Sequence, residues 1–145
     1  MADPTFNLAT PVAPLSTDIA ISTTTTENIL ANKASSGQII RIDLLRINNV
    51  DGSNAATISG WRYDQDGTGM NSNDGRNEVA IGSDVVAGSV IADCFPEALS
   101  IEAGGGQEVF SAESPYYLHE DESLVIQASA ANDLAITLTW TVIGA

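Results

Sequence analysis

The chain reads as an all-β protein: an antiparallel β-sandwich of jelly-roll or Greek-key type, preceded by an extended N-terminal arm. Three observations predict this. Residues 134–142 (LAITLTWTV) alternate, with Leu134, Ile136, Leu138, Trp140 and Val142 on one side and Ala135, Thr137, Thr139 and Thr141 on the other. That period of two is the mark of a half-buried strand. Residues 124–130 repeat the pattern through Leu124, Ile126, Ala128 and Ala130. Elsewhere, short apolar runs are cut by turn residues every 8–12 positions or so, giving roughly nine or ten strands and no convincing helix.

Taken in order, residues 1–18 (MADPTFNLATPVAPLSTD) stand apart. Pro4, Pro11 and Pro14 each remove a backbone donor and disfavour helix before them. Phe6, Leu8, Val12 and Leu15 are apolar but form no periodic face. Two readings are open: a frayed terminus, or an arm that docks these four side chains on another subunit. A single sandwich domain, residues 19–145, follows. Residues 19–26 (IAISTTTT) are β-branched and read as the first strand, and residues 27–34 as a short second one. Residues 38–49 (QIIRIDLLRINN) form a long strand whose inward parity changes from Ile40, Ile42 and Leu44 to Leu45 and Ile47. A bulge near Leu44–Leu45 explains the switch and leaves Arg41, Asp43, Arg46 and Asn48 outward.

Residues 55–63 return as a strand, with Gly60 between Ile58 and Trp61, which suggests a bulge or a close backbone approach. Residues 64–77 (DQDGTGMNSNDGRN) are a long polar loop. Residues 78–81, 89–93, 98–102 and 107–111 are further short strands, punctuated by glycine and proline. One tyrosine of the Tyr116-Tyr117 pair faces in and the other out. Across the turn Ala131-Asn132-Asp133 the last two runs are expected to form a hairpin. In it Ala130 faces Leu134, Ala128 faces Ile136, Ile126 faces Leu138 and Leu124 faces Trp140.

Composition narrows the function classes. With 145 residues and 43% apolar content the chain can bury one core. No apolar run approaches the roughly 18–20 residues that span a bilayer, and no basic, apolar leader opens the chain. Five Lys and Arg against 19 Asp and Glu give a formal charge of −14. Five scattered cations cannot neutralise a phosphate backbone or hold an anionic membrane, so neither nucleic acid nor membrane is an expected partner.

No constellation argues for catalysis, and no cofactor is expected. His119, the single histidine, sits in the acidic turn His119-Glu120-Asp121-Glu122 and reads as solvated. Cys94, the single cysteine, lies among apolar residues beside Asp93, which favours an inert thiol. One His and one Cys do not make a zinc site. Asp64, Asp66 and Asp74, with Glu78, supply oxygens for Ca²⁺, but the twelfth position from Asp64 is Gly75, where a bidentate Glu belongs. A plain Gly/Asn/Asp loop is the other reading. Trp61 and Tyr63 beside this loop are either a stacking platform for a sugar or core and edge packing.

Two segments carry a resemblance. Residues 37–51 (GQIIRIDLLRINNVD) and the run from Pro115 to Val142, with its acidic lead-in and Ala131-Asn132-Asp133-Leu134, together resemble small structural proteins of tailed bacteriophages. The loop at 64–77 is longer than in the shortest of these. The resemblance implies a virion component, foremost a capsid decoration (cement) protein on the head exterior. Such a protein binds the major capsid protein through an arm (here Phe6, Leu8, Val12 and Leu15) and copies of itself, with a homotrimer suiting threefold positions. The alternative it leaves is a carbohydrate- or receptor-binding module on the tail, working through Trp61 and Tyr63.

Overall fold

The computed structural model describes residues 15–32, 36–64, 89–95 and 98–144. It is a sandwich of two antiparallel sheets. Among the described residues ten strands occur in chain order: β1 (Leu15–Ala20), β2 (Glu27–Ala31), β3 (Gln38–Asn49), β4 (Ala56–Asp64), β5 (Ser89–Asp93), β6 (Leu99–Ile101), β7 (Gly106–Phe110), β8 (Tyr116–Leu118), β9 (Glu122–Ala128) and β10 (Leu134–Gly144). The expected strand at 78–81 lies outside the described residues, and the first strand begins at Leu15 rather than at residue 19.

Sheet A runs β1-β10-β3-β7, with β8 also on β3; sheet B runs β2-β9-β4-β5, with β6 also on β4. Strands β7 and β8 lie end to end along β3, as β5 and β6 do along β4. Counting each such pair as one strand, the first pairs with the last, the second with the second-last, and so inward to the middle. The described strands form one long antiparallel ribbon folded over on itself.

This order corrects the hairpin expected at the C-terminus. Strands β9 and β10 are consecutive but belong to opposite sheets, β9 pairing with β2 and β4, and β10 with β1 and β3. Their apolar rows do face inward. Leu124, Ile126 and Ala128 are buried, and so are Leu134, Ile136, Leu138 and Trp140. They meet across the core instead of side by side. Period-two patterning states which face a residue takes, not which strand lies beside it. Backbone bonds of the turn explain the crossing, since they go elsewhere: Asn132 N–H donates to Ile21 O at 2.8 Å and Val50 N–H to Asp133 O at 2.7 Å.

The bulge in β3 is present. Thr139 pairs with Leu44 and Trp140 with Ile42, so Asp43 is the extra residue. Ile40, Ile42, Leu45 and Ile47 are fully buried, whereas Leu44 is only half-buried on the outer side. Asp43 is held outward by Arg41 Nε at 2.6 Å and by the Thr141 hydroxyl at 2.6 Å. In β4 the expected alternatives resolve to a close approach. Pairing with β9 is unbroken, and a Cβ on Gly60 would lie 2.3 Å from the Phe95 ring.

Two buried asparagines tie the sheets together. Asn32, after β2, donates Nδ2 to Gln38 O at 2.8 Å and Leu118 O at 3.1 Å, and its Oδ1 accepts from the Ser36 hydroxyl at 2.8 Å. Asn49, at the end of β3, donates to Asn54 O at 2.8 Å and Ile101 O at 3.0 Å, and accepts from Asp51 N–H at 2.9 Å. Each amide crosses from one sheet to the other, and each satisfies its donors and acceptor, as a buried polar group must.

Candidate functional site

One end of the interior is polar. In β4 the inward parity of Ala56, Ile58 and Gly60 continues to Arg62, which therefore points its guanidinium between the sheets. In β8 the parity of buried Leu118 turns Tyr116 inward and leaves Tyr117 outward, 43% exposed. Tyr116 stacks on Phe110 with ring centroids 4.6 Å apart. Arg62 Cζ lies 5.9 Å from the Tyr116 centroid, a cation–π distance. Cys94 follows β5, tied to β4 by its N–H on Gly60 O at 2.8 Å, and its thiol is hydrogen-bonded to Tyr116. Glu122, at the start of β9, accepts the His119 N–H at 2.8 Å and brings Oε2 to 3.9 Å from Arg62 Nε. That gap is a charge contact, not a hydrogen bond.

The electrostatics of this cluster decide what it can do. Burial pushes the Cys94 thiol up to about 11; the Tyr116 hydrogen bond and the Arg62 charge only partly oppose it. Burial likewise pushes the Tyr116 phenol upward, with Cys94 adding to the effect. Both groups are protonated at neutral pH. A thiol that stays neutral is a poor nucleophile, and a phenol that stays neutral is no base. The cluster instead joins β8 of sheet A to β4, β9 and the residues after β5 of sheet B. It is a polar clasp at one end of the sandwich. Arg62 was legible as an inward residue from its parity with Ile58 and Gly60; its partners were not, because they come from β8 and β9, distant in sequence.

The residues singled out from sequence fall elsewhere. Leu15 opens β1 opposite Trp140, at the lateral edge of sheet A, and is 46% exposed. Phe6, Leu8 and Val12 lie outside the described residues, as do Asp66, Asp74 and Glu78. Asp64 ends β4 opposite Glu122. No cluster of metal-ligating side chains occurs among the described residues. Trp61 and Tyr63 share the outer face of β4, both half-buried. Their neighbours on β9, Val125 and Ser123, are fully buried. His119 is exposed in its turn, where Glu122 N–H returns to His119 O at 3.2 Å.

The chain matches no protein-family model, no curated protein and no solved structure.

Proposed function

We propose that the protein is a non-enzymatic capsid decoration protein of a tailed bacteriophage. On this reading it sits on the head exterior as a homotrimer, holding the major capsid protein through its N-terminal residues and its neighbours through subunit contacts. The observation that carries the reading is the strand order. Pairing first with last and inward to the middle, over two sheets, is jelly-roll connectivity, an architecture recurrent in viral capsid proteins and lectins. A fold does not dictate a function, so further support is needed. It comes from the two segments that resemble phage structural proteins. They are far apart in the chain, yet they form β3 and its direct neighbours β8 and β10, together with β9 of the opposite sheet.

The position of β1 supports the arm. Residues 1–14 lead into an edge strand, so Phe6, Leu8 and Val12 can grip a neighbour without drawing anything out of the core. The expected arm ended at residue 18, but Leu15–Ala20 is a strand of sheet A, so the informative deletion is 2–14. Full-length protein is expected to cosediment with undecorated capsid shells, and the deletion to bind at least tenfold less at unchanged melting temperature. Absent binding by the full chain overturns the cement reading; equal binding by the deletion overturns the arm alone.

The alternative, a receptor-binding module on the tail, is favoured by the placement of Trp61 and Tyr63 two residues apart on one face of β4, roughly 7 Å along the strand. It places the protein at the tail in images of intact particles.

A further inference from the structure

Glu27 is an acid in an unusual place. It opens β2, an edge strand whose five residues are all buried, and it is itself only 4% exposed. The register sets it opposite the core residue Ile126. Its Oε2 is sealed from solvent and has no hydrogen-bond partner. The elements around it offer no compensating charge among the described residues. Strand β9 faces it with Ile126 and Val125, and carries its carboxylate, Glu122, at the other end beside Arg62. Gln127, the next residue, is neutral and donates to Thr24 O at 3.2 Å. In β1 the one charged residue, Asp18, is turned outward to the Thr137 hydroxyl at 2.9 Å. In β10 there is no charged residue.

A carboxylate sealed in apolar surroundings is disfavoured unless it is protonated or moves out. The strand that holds it lies at an edge of sheet B. It is short, pairs with β9 alone among the described residues, and its ladder is broken between Asn28 and Leu30, where Ile29 is the extra residue. We propose that β2 is a proton-gated edge: it stays packed on β9 while Glu27 is neutral and lifts away when Glu27 ionises, with β3, β4, β9 and β10 remaining in place. The gate belongs to the sandwich itself and does not depend on the virion reading.

The sign follows from linkage. Burial raises the Glu27 pKa above its ordinary 4.5. The closed state therefore holds the proton more tightly than the open one, and opening releases it. Closure is complete below about pH 4.5 and is lost as pH rises through the closed-state value. Between the two values the opening constant climbs by up to about tenfold per pH unit, then levels off.

Hydrogen exchange of the β2 amides, corrected for intrinsic rates, reads this directly. In the wild type, protection of residues 27–31 is expected to fall between pH 4.5 and pH 7, while β3 and β10 amides keep theirs. Glu27→Gln is expected to hold β2 protection constant over that range. Equal pH dependence in both proteins overturns the gate. If the variant fails to fold, the side-chain carboxyl resonance of Glu27 in the wild type decides: titration above pH 4.5 is expected, and titration at or below 4.5 overturns it.

Discussion

Single residues in this sandwich work through what their burial forbids. Cys94 sits beside Arg62, yet desolvation outweighs that cation and lifts the thiol from its ordinary 9.0 to about 11. The thiolate fraction at pH 8 is then about a hundredfold below that of a free cysteine. Labelling by a thiol-exchange reagent at pH 8 is expected to be slower by a similar factor, and to accelerate only as pH approaches 11. Rapid labelling at pH 8 in folded protein contradicts this placement. The inertness was legible in sequence from the apolar run and the adjacent Asp93. The larger cause, enclosure against Tyr116 of the opposite sheet, was not, because period-two patterning carries no information about contacts across a core.

At the scale of elements, alternation and turn chemistry made most strands readable. The parity switch in 38–49 announced a bulge, and the structure locates its extra residue at Asp43, where Arg41 and Thr141 hold it. Neighbour identity was a different matter. Apolar rows in β9 and β10 suit a hairpin and a two-layer sandwich equally well; the choice is made by backbone bonds from Ile21, Val50 and Asn32 to residues far away in sequence. Asn32 shows the strength of such ties. Replacing it with Ala removes the donor to Gln38 O and Leu118 O, in a site 0% exposed to solvent. The expected loss is about 2 kcal/mol, since the buried Leu118 carbonyl and the part-buried Gln38 carbonyl each lose a partner. Chemical denaturation checks this, and a loss below about 0.5 kcal/mol contradicts the cross-sheet tie. Asn32→Asp is expected to be no better, because a carboxylate has nothing to donate.

For the whole molecule, first-with-last pairing means that the β1 edge closes a sheet built from the end of the chain. Ile19 and Ile21 complete the core next to Ile136 and Leu134. Strand β1 therefore begins at Leu15, inside the 1–18 segment that composition set apart. The −14 charge keeps free copies apart except where a shaped contact wins. The polar clasp of Arg62, Tyr116, Cys94 and Glu122 and the two asparagine ties serve the sandwich itself. Imaging of intact phage particles tests the proposed decoration role most directly. Density matching this sandwich is expected at regular positions on the outer surface of the head, at threefold sites; density at the tail, or none on the particle, contradicts it.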